Sequence, residues 1–147
     1  MLHKDYQTFE HRIKTKFKKN GNEADIPLQS KGSFNAKLVK NGIIVSNLAN
    51  YPLLEWKIFN EIETLFYEKG HIIQKGNAMS YRLGETGLPL DSIEGWLAHK
   101  IFSKRKGDSV FRRISPIAAI LIWAEICNGE KPGYLTLNDN YSKAVKI

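Results

Sequence analysis

The chain has 147 residues, 42% apolar and 25% charged, with a net charge of +7 and a pI near 9.5. This is enough polypeptide to bury a core without metal or disulfide staples, and the balance is that of a globular protein. The longest apolar run, Ile117 to Ala124, is far short of a membrane span, the first residues lack a signal-peptide apolar segment, and a lone Cys127 excludes a disulfide framework. One domain over 1–147, a cytoplasmic location and no membrane partner are therefore expected.

In chain order, Tyr6, Phe9, Ile13 and Phe17 recur every three or four residues, which predicts a helix over about 4–19. Asn20-Gly21-Asn22 ends it with residues tolerant of left-handed backbone, and a polar loop is expected to residue 32. A β-hairpin follows over Phe34–Asn47, with Asn41-Gly42 as its two turn residues, so that Leu38 should face Val45. Ala36, Leu38, Ile43 and Val45 then share one sheet face. Val39 and Ile44 lie on the other, so cover on both sides is expected. Pro52 opens a helix over about 53–69, striped by Leu54, Ile58, Ile62, Leu65 and Phe66 and closed by Gly70.

His71 to Gln74 reads as a short strand returning to the sheet, and Gly76 to Asp91 as an irregular segment of a length uncommon in compact domains and often functional, though a plain connecting turn also explains its glycines. Asp91, with Glu94 three residues on, predicts a capping box opening a helix over about 92–103. Ser115-Pro116 opens the next, about 116–128, apolar on nearly every face and so destined for the core. Tyr134 to Leu137 is expected to add a strand, and 138–147 a loose tail. The fold class is α+β, with three to four helices packed on a small antiparallel sheet built around the hairpin.

The positive charge is not spread evenly. Residues 1–20 carry six Lys or Arg against two acids, and residues 99–113 carry six against one, leaving the rest of the chain net negative. Concentrated charge of this kind is an electrostatic footprint for phosphate. The two well-signalled helices around the second segment suggest a helix-turn-helix, but the comparison fails. The later helix lacks the polar face a recognition helix needs, and the connection is several times too long. What can reach a groove is the loop itself, and a wing is the better description: a turn at Gly107-Asp108 and a short strand over Ser109–Ile114. On such a strand Arg112 and Arg113 point to opposite sides.

The expected phosphate contacts are Lys14, Lys16, Lys18 and Lys19 on the first helix, and Lys100, Lys104, Arg105, Lys106, Arg112 and Arg113 around the loop. The glycine-punctuated stretch 75–84 adds Asn77, Tyr81 and Arg82, a set of donors and a ring suited to a base or phosphate. It matches neither the P-loop nor the dinucleotide fingerprint.

Catalytic signals are thin. His3, His11, His71 and His99 are dispersed, there is no Gly-x-Ser-x-Gly elbow, and no motif implies a metal or cofactor. Glu55-Trp56-Lys57 has the letters of a nuclease motif but lies in a predicted helix, and capping already explains Asp91 and Glu94. The reading is a small basic nucleic-acid-binding protein, with duplex DNA favoured over RNA, of a kind that suits a phage or restriction context. The alternatives are a metal-dependent nuclease and a protein-binding module docking on an acidic partner.

Overall fold

A computed structural model of the chain describes residues 7–139 and 141. The predicted start of the first helix at Lys4 and the tail residues 142–147 lie outside that set. The fold is α+β: α1 (Phe9–Lys19), β1 (Glu23–Pro27), β2 (Ser33–Val39), β3 (Gly42–Val45), β4 (Leu53–Glu55), α2 (Trp56–Lys69), β5 (Ile72–Gln74), α3 (Ile93–Lys100), α4 (Ile114–Trp123), β6 (Cys127–Asn128) and β7 (Tyr134–Leu137). An antiparallel sheet runs β1-β2-β3-β4, and a second, three-stranded one runs β5-β7-β6. The strand expected at His71–Gln74 is present over Ile72–Gln74, but it joins the second sheet.

The hairpin forms with its register two residues from the expected one: Leu38 faces Ile43 and Ala36 faces Val45. Lys40 and Asn41 are the turn, and Gly42 belongs to β3. The reason is β4, since a Cβ on Gly42 would lie 2.0 Å from the Leu54 carbonyl oxygen. A shift of two leaves the faces unchanged. Ala36, Ile43 and Val45 are buried, but the cross-strand pair Ile44 and Leu53 is 40% and 36% exposed, so the outer face is not fully covered.

β4 also corrects the predicted helix, which begins at Trp56 rather than residue 53. Leu54 is wholly buried opposite Ile43, and the Pro52 carbonyl accepts from Val45 N–H. Pairing therefore wins over helix continuation. β1 lies within the expected loop; its only apolar signal is Ala24 and Ile26, buried in strict alternation between Glu23, Asp25 and Pro27.

α1 starts at Phe9, capped by the Thr8 hydroxyl, which accepts from His11 N–H at 3.0 Å. α3 is capped by Ser92, one residue after the expected Asp91; the Ser92 hydroxyl accepts from Gly95 N–H at 3.1 Å. α4 stops at Trp123 because Glu125 turns left-handed, at φ 63°, and Cys127 passes into β6. Of the expected loose tail, Asn138 donates to the Glu125 carbonyl, and buried Tyr141 packs its ring on Phe9 and donates to the Gln7 carbonyl.

α4 packs on β1, and α2 packs against α1, α3, β4 and β5. A continuous core joins all the helices and both sheets, and α4 is buried over most of its circumference. A second, smaller cluster of Leu83, Leu88, Ala98 and Val110 sits beneath the two irregular segments that flank α3.

Candidate nucleic-acid interface

Those two segments, 75–92 and 101–113, lie side by side. Gly107 N–H donates to the Leu83 carbonyl at 2.8 Å, and Leu83 N–H to the Asp108 carbonyl at 3.0 Å. The Arg82 guanidinium donates to the Gly107 carbonyl, and the Lys106 stem crosses Gly84, where a Cβ would meet its Cγ at 3.1 Å. The expected turn is present but centred one residue earlier, on Lys106-Gly107, with Asp108 N–H donating to the Arg105 carbonyl at 3.0 Å. The strand of the wing is absent: residues 109–113 are irregular, the backbone bonds to the neighbouring segment fall at Gly107 and Asp108, and Val110 enters the small cluster.

This pairing brings Arg82 alongside Lys104, Arg105 and Lys106. The two nearby acids are spent on backbone: Asp108 accepts from Arg105 N–H at 2.8 Å, and Glu85 accepts from Arg82 N–H. Among the described residues, none of these four cations, nor Lys75 or Arg112, forms an ion pair.

The first helix differs. Lys14 pairs with Glu10 at 2.6 Å and lies over the Trp56 ring; Lys16 reaches Glu125 at 3.8 Å and lies over Trp123. Lys18 and Lys19 are exposed. Arg12 donates to the Ala124 carbonyl, so α1 meets the C-terminal end of α4, whereas Arg113 stands immediately before its N-terminus. The two basic segments thus stand at opposite ends of a helix about 15 Å long.

The adjacent arginines do point apart. Arg113 is buried, its guanidinium 3.8 Å from the Phe102 ring centre, 4.8 Å from Phe111 and 5.5 Å from Tyr51. Burial pulls its pKa below the ordinary arginine value, and the rings and the nearby Glu94 charge compensate. Arg113 is therefore a core cation. Lys100, though exposed, lies over Trp96 at 4.8 Å.

Arg112 instead opens into a cleft formed by two adjoining hollows of about 460 and 320 Å³. Both are lined by Lys75, Arg112, Ile114 and Gly133. Lys75 was not among the expected contacts, and nothing in its local sequence sets it apart from other lysines. Its Nζ donates to Gln29 Oε1 at 3.0 Å, and Gln29 is itself seated on Gly129, where a Cβ would lie 1.9 Å from its amide nitrogen. Burial first, then the Arg112 charge, lowers the Lys75 pKa.

Asn77, at the cleft rim, accepts from Met79 and Ser80 N–H and so shapes its own turn. Tyr81 rests on Gly87, its ring 2.1 Å from where a Cβ would sit. A larger hollow, about 970 Å³, lies elsewhere; its walls include Gln7, Asp139 and Tyr141, next to residues outside the described set, and none of the loop cations.

Under the cleft lies Glu94, 1% exposed. One carboxylate oxygen accepts from Arg113 N–H at 2.6 Å and from Ile114 N–H at 3.1 Å, capping α4, and Glu94 N–H donates to the Lys75 carbonyl at 3.0 Å. Burial pushes its pKa up to about 7 against the opposing pull of those bonds and of Arg113 and Arg112. Capping was the expected role, but of α3; the exposed Asp91 does not share it. Among the described residues, no three His, Cys, Asp or Glu side chains group as metal ligands, and no helix is long and apolar enough to cross a membrane. No protein-family model, curated protein or solved structure matches the chain.

Proposed function

We propose that the protein binds nucleic acid, duplex DNA in preference to RNA, through the paired segments 75–92 and 101–113. The observation that carries this reading is that Lys75, Arg82, Lys104, Arg105, Lys106 and Arg112 gather there without an ion pair among the described residues. Ion pairing already accounts for Lys14 and Lys16 on α1. Unpaired cations on a braced loop release counterions when phosphates replace their water, and that release drives sequence-independent affinity. The braced geometry also spares part of the ordering cost that a flexible basic tail would carry.

The test is a salt titration of duplex binding by fluorescence anisotropy. Each phosphate neutralised contributes about −0.9 to the log–log slope on B-DNA. Lys104→Ala, Arg105→Ala and Lys106→Ala should each flatten the slope by up to roughly one unit. Lys14→Ala and Lys16→Ala should leave it nearly unchanged. Absence of binding to duplex DNA, single-stranded DNA and RNA at low salt would end the proposal.

A further inference from the structure

We infer that the Lys75–Arg112 cleft holds one terminal phosphate group, either the end phosphate of a nucleic-acid strand or that of a mononucleotide. The first source deepens the nucleic-acid reading and rests on it; the second does not. Lys75 and Arg112 line both hollows, and like charges brought together in a recess repel unless an anion lies between them. Neither has a carboxylate ion-pair partner among the described residues.

Lys75 is also held rather than swinging. Gln29 fixes its ammonium from one side, and Glu94 N–H fixes its carbonyl from below. Such fixing is wasted on a solvated surface lysine and useful in a binding site, because less freedom is lost when the ligand arrives. Partial burial of Lys75, and then the neighbouring Arg112 charge, lower the Lys75 pKa, and a bound dianion would offset that charge.

The surroundings fit a phosphate ester. Ser115, in the first turn of α4, borders the hollow, and its N–H makes no hydrogen bond among the described residues. Asn77 and Ser80 supply further polar groups at the rim. Met79, 72% exposed on the same rim, offers an apolar surface to a ribose or base. Two cations suit the charge of roughly −1.5 to −2 on a terminal phosphate at neutral pH better than the single charge of an internal diester. A recess also admits a strand end more readily than the continuous backbone of a duplex.

The experiment compares a short DNA duplex carrying 5′-phosphates with the same duplex carrying 5′-hydroxyls, by anisotropy on the full chain. Inorganic phosphate and adenosine monophosphate serve as competitors and, separately, as calorimetric ligands. The phosphorylated duplex should bind about tenfold more tightly or better, as one charge-assisted contact pair allows. Arg112→Gln and Lys75→Gln should erase that ratio, with circular dichroism melts confirming the fold. Arg112 is exposed, so its variant keeps the test readable even if Lys75→Gln unfolds.

Arg105→Ala should weaken both duplexes alike and keep the ratio. A ratio of one with no competition by either small anion overturns the inference and leaves the nucleic-acid reading standing. A ratio that survives both cleft variants also overturns it. Binding of phosphate or the mononucleotide that the cleft variants abolish, without binding of any duplex, supports the cleft and refutes the nucleic-acid reading.

Discussion

Glu94→Gln isolates the electrostatic cost of the carboxyl beneath the cleft. In the fold this group titrates near 7, and in the unfolded chain near 4.5. Between those values the folded state holds a proton that the unfolded state has released, so stability falls as pH rises through the window and levels off above about 7. At about 1.4 kcal/mol per pH unit, the gap amounts to roughly 3 kcal/mol. Glutamine does not titrate, yet its side-chain oxygen can still accept from Arg113 and Ile114 N–H, so the cap of α4 survives.

The assay is urea unfolding of both proteins at several pH values from 5 to 8. The stability difference, wild type minus variant, should shrink by about 2–3 kcal/mol between pH 5 and 7.5, in favour of the variant at the alkaline end. Half-buried Glu63, whose pKa burial also raises, is common to both proteins and cancels. Parallel stability curves would show that Glu94 is not held near neutrality and would refute the reasoning. Glu94→Ala supplies the contrast: it strands two buried N–H groups and should cost about 3–5 kcal/mol more than Glu94→Gln at every pH.

Arg113→Met should cost about 1–3 kcal/mol in urea unfolding, since it removes a desolvated cation from between three rings. Gly95→Ala should destabilise by about 2 kcal/mol or more, because the new Cβ would lie 1.9 Å from the Pro89 carbonyl oxygen; a melting temperature equal to wild type would contradict that contact. Burial pushes the Cys127 thiol up from its ordinary value, so a thiol reagent near neutral pH should label it only after denaturation.

Periodicity exposed α1 and α2, since each buries a stripe that recurs at helical spacing: Phe9, Ile13 and Phe17, or Ile58, Ile62 and Leu65. Their ends were less legible, because tertiary contacts set them. Leu54 continues the stripe of α2, yet it pairs with Ile43 in a sheet whose approach no local pattern announces. The Asn41-Gly42 signal located the hairpin but not its register, because Gly42 serves the close passage of β4 rather than the turn. For the site, the sequence placed the basic loop and the opposed arginines. It could not separate paired from unpaired cations: Lys16 finds Glu125 across more than a hundred positions, and Lys75 meets Arg112 only through the fold.

Glu94 ties these observations together. Its N–H holds the Lys75 carbonyl, and its carboxylate holds the N–H of Arg113, so one buried residue fixes the backbone on both walls of the cleft. Arg113 is then committed to the rings of Phe102, Phe111 and Tyr51, which leaves Arg112 to face the cleft. A carboxylate with no other task would be cheaper to replace by an apolar side chain, since burial alone raises its pKa. Its position is accounted for by the two unsatisfied amides at the start of α4, which an apolar side chain could not cap. The cost of burying Glu94 is thus linked to the geometry that brings Lys75 and Arg112 together, and stability lost as the pH rises from about 4.5 towards 7 is the expected counterpart of that geometry.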